Sequence, residues 1–311
     1  MNPYGVFRYV PLSVLRTLAR FVAWMILLMP NLSINRSVHT NLMLAYPKLG
    51  VGERKALHRQ IVINQCLTSV ESIKSWAMPP EWSTAQIAKV HNQAALEKAL
   101  ANPKGMLAIV PHLGTWEIMN AWLNQFGSPT IMYKPVKGKL SNDFVLQGRQ
   151  RLNATLVPTD GTGVKAIFKT LKEGGFSIIL PDHVPDPSGG VVVPFFGIPC
   201  LSSTLAPKLA NKTGCALLGL SCIRIDDGCF EIFCTPLENP NLYHKDPKIA
   251  TLALNHVIQA MITGRDEHYM WGYRRFKHVP NIENIYWYTE AELKPVIEHY
   301  HAIDLDKTTM E

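Results

Sequence analysis

No two of the chain's six cysteines (Cys66, Cys200, Cys215, Cys222, Cys229 and Cys234) stand two residues apart. The usual zinc and dithiol spacings are therefore absent, and no metal is implied. No small-residue cleavage site follows the apolar N-terminus, so the thiols are expected to stay reduced in a cytosolic compartment. A Gly-x-Ser-x-Gly elbow is also missing, which argues against a serine nucleophile and leaves Ser202-Ser203-Thr204 as a helix cap. Asp160-Gly161-Thr162-Gly163 lacks both the Gly-Lys-Ser/Thr of a phosphate loop and the third glycine of a dinucleotide fingerprint, so it is expected to start a helix. Linkers, low-complexity tracts and internal repeats are wanting too, which argues against a division into two domains.

What is present is apolar and basic. The 311 residues are 47% hydrophobic and can bury one large core. The formal charge of +7 is unevenly placed, because residues 288–311 hold six acids against Lys294 and Lys307. The preceding chain is more basic than the total suggests and seeks an anionic partner: a phospholipid surface or a phosphorylated substrate. No zinc-finger spacing, basic helix or aromatic RNA-binding signature accompanies the charge, so no nucleic acid partner is expected.

Near the start, Leu12 to Met29 is apolar apart from Ser13, Arg16, Thr17 and Arg20, and its unbroken part runs only from Phe21 to Met29. A bilayer crossing takes ~20 apolar residues. Arg16 and Arg20 lie one helical turn apart and are expected to snorkel toward head groups, with Trp24 at the interface. The stretch is read as a shallowly inserted membrane-anchoring helix; a single span and a buried core helix are the rivals. This gives three segments: a membrane-associated helix over 1–30, a main body over 31–287 and an acidic tail over 288–311.

Within the body, Val62, Cys66, Val70, Ile73 and Ala77 trace a helical stripe through 52–78, ended by Pro79-Pro80. Apolar runs at 106–110, 130–133, 154–157, 176–180 and 216–224 then alternate with helical patterns. Short runs buried on both faces and separated by helices indicate an α/β fold with a mixed, partly parallel central sheet flanked by helices. Asp226-Asp227-Gly228 predicts a closing antiparallel hairpin with 230–234, in which the clustered cysteines are small buried hydrophobes.

The run from Met106 delivers His112 and, five residues later, Glu117 into one turn. Five residues of continuous helix rotate ~140°, so the pair meets only if His112 lies at the strand end and Gly114 tightens the chain. Glu117 could then hold one ring nitrogen while the other abstracts a proton, the base half of a hydroxyl-activating catalytic site. Leu113 and Trp116 would keep water from the dyad. Among the cations, Lys134, Lys137, Lys139, Arg149 and Arg151 could meet phosphate oxygens. Asp182-His183 could be an acid/base pair, a ligand set or a turn device; Asp182 is read as shaping the site.

His112 to Glu117 resembles the H-x-x-x-x-D/E signature of the glycerolipid acyltransferase superfamily, in its lipid A late acyltransferase branch. Further resemblances run in order from about 12 to 280. They comprise Asn41-Leu42, Ala45-Tyr46-Pro47 and Glu53-Arg54; Met132-Tyr133-Lys134-Pro135 and Gln147-Gly148-Arg149; Leu180-Pro181-Asp182-His183 and Val193-Pro194-Phe195-Phe196-Gly197; and Tyr269-Met270-Trp271 with Arg274-Arg275-Phe276-Lys277. The resemblance implies a glycerol-3-phosphate acyltransferase-like, mixed seven-stranded sheet and attachment to the cytoplasmic face of the inner membrane. It implies O-acyl transfer to a phosphorylated glycolipid, the lipid A precursor, with no cofactor beyond the donor: acyl carrier protein, or else acyl-CoA. It assigns Arg149 a substrate or oxyanion contact, to which Lys134 and Asp182 are added as candidates, and makes Phe195, Phe196 and Gly197 candidates for an acyl-channel wall. A hydrolase using the same dyad and a non-catalytic membrane lipid-binding protein are the alternatives.

Overall fold

The computed structural model describes residues 3–225 and 228–308. Its contacts divide the chain into two compact units. One takes the chain to Phe21 with Cys66–Leu180 and Leu209–Glu238; the other takes Val22–Gln65, Pro181–Lys208 and the chain from Asn239.

The N-terminal helices are α1 (Leu12–Leu27), α2 (Ser33–Ala45) and α3 (Val51–Ala77), followed by the single turn α4 (Pro80–Thr84). The first unit is built on a seven-stranded sheet. Its strands are β1 (Ile87–His91), β2 (Met106–Ile109), β3 (Thr130–Tyr133), β4 (Thr155–Pro158), β5 (Phe176–Ile179), β8 (Ala216–Arg224) and β9 (Phe230–Pro236), in the order β1-β9-β8-β2-β5-β3-β4. Between them run α5 (Gln93–Leu100), α6 (Trp116–Leu123), α7 (Lys139–Gln150) and α8 (Gly161–Lys172).

β2 lies between β5 and β8 and pairs in parallel with both, Met106 facing Phe176 on one side and Ala216 on the other. All four of its residues are buried. A strand covered on both faces needs apolar side chains on both, and Met-Leu-Ala-Ile supplies them. The expected antiparallel closure is β8 with β9; Asp226 and Asp227, assigned to its turn, lie outside the described residues. Cys222 and Cys234 pack into the core with Leu218, Leu220 and Ile232. Asp160 caps α8, accepting from the Thr162 and Gly163 amides, which bears out the helix start expected there.

In the second unit, β6 (Gly190–Phe195) and β7 (Ile198–Ser203) form an antiparallel hairpin packed on α10 (Pro247–Ile262). Its two-residue turn puts Phe196 at φ +49 and Gly197 at φ +75, the left-handed pair that a hairpin twist favours. A bulky residue there is strained. The Phe196 amide is held by Gln259 Oε1 at 3.0 Å. Helix α9 (Leu205–Thr213) follows β7, and α11 (Glu290–Thr308) packs on α2 through the tail segment.

Two expectations need correction. Ser202 and Ser203 end β7 rather than open a helix, and buried Ser202 accepts from Arg275 Nη2 at 2.6 Å and Asn255 Nδ2 at 3.0 Å. The cap expected from this run falls on Thr204, whose carbonyl accepts from the Lys208 amide of the helix that begins at Leu205, with Ser203 Oγ accepting from the Leu205 amide. Arg16 does not snorkel outward: its Nε donates to Glu71 at 2.8 Å and its Nη2 to the Gly228 carbonyl at 2.7 Å. Among the described residues no helix is long and apolar enough to cross a membrane, so the single span is not found and α1 stops at 16 residues. Its Leu15, Ala19 and Ala23 are buried while Val14, Leu18, Phe21, Trp24 and Leu28, just beyond its end, are exposed.

Candidate active site

Past the end of β2 the chain turns sharply. The Leu113 amide reaches the Pro111 carbonyl at 2.6 Å, and Gly114, at φ +71, then bridges in parallel to Cys222 on β8. A Cβ on Gly114 would run into the Cys222 carbonyl oxygen. Glycine is required here for both its backbone angle and the close approach. The Thr115 amide donates to that same carbonyl at 2.8 Å. His112 thus sits half-buried at the turn beyond the carboxyl end of the central strand, where open α/β sheets gather their active sites.

Helix α6 starts at Trp116 and places Glu117 in its first turn, where a carboxylate suits the helix dipole. Glu117 is 3% exposed and accepts from Arg149 Nη2 at 2.5 Å. Arg149 comes from the last turn of α7, with its guanidinium carbon 4.7 Å from the Trp116 ring centre and 5.3 Å from that of Tyr133. A planar guanidinium in reach of two aromatic rings is a geometry lysine cannot copy. Burial raises the Tyr133 phenol against the opposing pull of Arg149. Arg149 reaches this place because Gly148 lets α7 lie on α3, where a Cβ would strike Trp76 Cα and Cβ.

The structure therefore brings Glu117 and Arg149 together, at the turn that carries His112. Lys134 is exposed just past β3. Since β2, β5 and β3 are parallel neighbours, Lys134 follows the same edge of the sheet as His112, two strand spacings or about 10 Å along it. Arg151 is exposed and donates to the Trp76 carbonyl at 3.1 Å.

Asp182, Phe195, Phe196 and Gly197 belong to the second unit and are held by its own packing. Asp182 is 1% exposed and accepts from the buried Tyr269 phenol, which burial, and then the Asp182 charge, push well above its ordinary range. His183 points the other way, exposed and stacked on Tyr273 at 4.0 Å. Phe195 lies under the Arg275 guanidinium at 4.7 Å, and Phe196 packs edge-on against Tyr46 and Trp271.

Sequence reasoning missed Glu71. This α3 carboxylate is fully buried; Oε1 accepts from Arg16 Nε at 2.8 Å and Arg224 Nε at 2.6 Å, and Oε2 from the Thr115 hydroxyl at 3.0 Å. Its only sequence signal is position, one turn beyond Leu67 and one turn before Lys74 on the inward face of α3.

The seven-stranded mixed sheet with a His-x-x-x-x-Glu turn past its central strand is the arrangement that the resemblance to acyl-transferring enzymes leads one to expect. The sequence profile of the bacterial lipid A biosynthesis acyltransferase family matches residues 4–278, and the chain belongs to that family. It is 28% identical over 249 residues to the lipid A biosynthesis lauroyltransferase of Escherichia coli K12, covering 78% of this chain and 79% of that one. A lipid A biosynthesis acyltransferase of Haemophilus influenzae is 24% identical over 78% of this chain and 76% of its own. A phosphatidylinositol mannoside acyltransferase of Mycobacterium tuberculosis is 30% identical over a shorter stretch, 41% of each chain. The chain is an acyltransferase.

Proposed function

We propose that the protein moves a fatty acyl chain from acyl carrier protein to the free hydroxyl of an acyl chain on a phosphorylated glucosamine disaccharide, the lipid A precursor. The observation that carries this reading is the His112 turn at the end of the buried central strand, followed within one helical turn by the buried carboxylate of Glu117. His112 takes the proton of the acceptor hydroxyl, and the oxygen attacks the thioester carbonyl. The C–S bond breaks, and the leaving thiolate takes the proton back from the imidazolium. Glu117 orients and stabilises that imidazolium: Arg149 occupies Oε1, and a carboxylate carries a second acceptor oxygen.

Arg149 acts chiefly by holding Glu117, since its guanidinium is paired and stacked. Substrate phosphate falls to Lys134 and its neighbours Lys137 and Lys139, all exposed beyond β3. The basic surface steers an acidic carrier protein. The exposed apolar face of α1 lies in the head-group layer on the cytoplasmic side of the inner membrane, attaching the enzyme without crossing.

Incubating the purified protein with labelled acyl carrier thioester and precursor lipid, with products identified by mass spectrometry, tests the reading. Precursor heavier by one acyl group supports it. Free fatty acid as the sole product would make the dyad hydrolytic, and no turnover with intact lipid binding would leave a non-catalytic binder. Acyl-CoA supporting faster transfer than the carrier thioester would reassign the donor.

A further inference from the structure

Thr115 stands at the N-cap of α6, where a threonine side chain normally accepts from the helix's own first amides. Here it makes no such bond. Its hydroxyl donates instead to Glu71 Oε2 at 3.0 Å, 44 residues back along the chain. A carboxylate with no solvent exposure persists only when it is fully paired, and Glu71 is: Arg16 of α1 and Arg224 at the end of β8 share its other oxygen. One buried group therefore gathers α1, the end of β8 and the residue two before Glu117. The turn is held to β8 a second time by the Thr115 amide on the Cys222 carbonyl.

We infer that Glu71 is a positioning residue for acyl transfer. Through the Thr115 hydroxyl it sets the start of α6, and so the carboxylate of Glu117, and through Arg16 it makes that setting depend on α1. The diverted hydroxyl is the argument for position over mere stability, because a residue able to cap α6 by itself is used to fasten α6 to α3. This inference rests on the acyltransferase reading of the His112 turn.

The cleanest test spares the buried charge. Thr115→Val removes the hydroxyl with little change of shape, and Thr115→Ser restores it. Two quantities are measured in the full-length protein: amide hydrogen exchange across residues 115–120, which needs no turnover, and kcat with KM for the acyl carrier thioester and precursor lipid. Thr115→Val is expected to speed exchange in that segment alone and to lower kcat by about tenfold or more with KM unchanged, the signature of a group acting in the transition state. Thr115→Ser is expected to recover both. Wild-type exchange at 115–120 in Thr115→Val overturns the inference. If the wild-type enzyme transfers no acyl group, the acyltransferase reading fails by itself, and the exchange comparison still decides whether Glu71 positions the turn.

Discussion

Arg149 donates to Glu117 across 2.5 Å, and the pair is 16% and 3% exposed. Two groups that the sequence suggests as imidazole orienter and substrate clamp are thus partners of each other. The consequence is kinetic: Arg149→Lys keeps the charge but loses the stacking on Trp116 and Tyr133, so kcat should fall by about tenfold or more at saturating lipid. KM should stay put, because the loss is transmitted through Glu117. A raised KM with unchanged kcat would return Arg149 to phosphate binding. Arg151→Lys should be nearly silent.

The dyad should separate from the fold at His112 and not at Glu117. His112 is half-buried in a turn, so His112→Ala should leave the unfolding midpoint close to wild type while transfer drops by about 10²–10⁴-fold, the worth of a positioned base. Glu117→Ala strands Arg149 and should destabilise by roughly 3–5 kcal/mol, as removing one member of a buried pair does. Glu117→Gln, with its shape kept, is the better kinetic variant. Combined with His112→Ala it should cost little more than His112→Ala alone, and full additivity in kcat would separate the two roles.

Gly148→Ala supplies a test that alters no polar side chain of the site. The new methyl would meet Trp76 Cα at 2.8 Å and Cβ at 2.6 Å, so α7 must lift from α3 and carry Arg149 away from Glu117. Activity should fall at least as far as in Arg149→Lys. Equal kinetics for Gly148→Ala and wild type would mean that α7 can shift without moving the guanidinium.

How far these features could be read in advance depended on what each residue type normally signals. β2, β5 and β8 were legible because apolar runs too short for an ordinary helix, set between helical patterns, favour strands buried on both faces. β1 did not: Lys89 and His91 sit on a half-exposed edge strand with no clean alternation. The β6–β7 hairpin stayed hidden since its turn uses Phe196 where Asn or Gly would signal φ above zero. Glu71 and Lys74 occupy the inward face of α3, yet a charged residue in a helix reads as solvated until its partners are known. Glu71 finds its partners, Arg16 and Arg224, 55 and 153 residues away, Lys74 finds its own in the Phe7, Arg8 and Val10 carbonyls, and no local pattern links them.

Acid should loosen the second unit through His58. Burial, and after it the neighbouring His39, lowers this imidazole to about 4, and its Nε2 faces Asn35 Oδ1 at 3.0 Å. His39, Arg54, Lys55 and Glu290 line the same small cavity. The folded state keeps His58 neutral while the unfolded chain takes up a proton below ~6.5. Stability therefore rises with pH between about 4 and that value and is lost on acidification. The denaturant midpoint should drop less from pH 7 to pH 5 in His58→Gln than in wild type. Parallel decreases would remove His58 from the acid response.

The N-terminal segment cannot be tested for membrane attachment by simple truncation, because it is also a structural part. Lys74 Nζ donates to the carbonyls of Phe7, Arg8 and Val10 at 2.9–3.0 Å, and Arg16 pairs with Glu71. Deleting 1–29 takes these three carbonyls from Lys74 and one of two guanidinium partners from Glu71 and should destabilise by roughly 3–5 kcal/mol, so loss of sedimentation with vesicles would report unfolding. Substitution of Leu18, Phe21 and Leu28 by serine touches only exposed positions. The triple variant should keep its unfolding midpoint and its transfer to detergent-dispersed lipid, yet fail to sediment with anionic vesicles. High salt should release little wild-type protein, because apolar burial is not screened as surface charge is. If the triple variant sediments as wild type does, the attachment surface lies elsewhere; if salt alone strips the wild type, the contact is electrostatic and α1 does not enter the head-group layer.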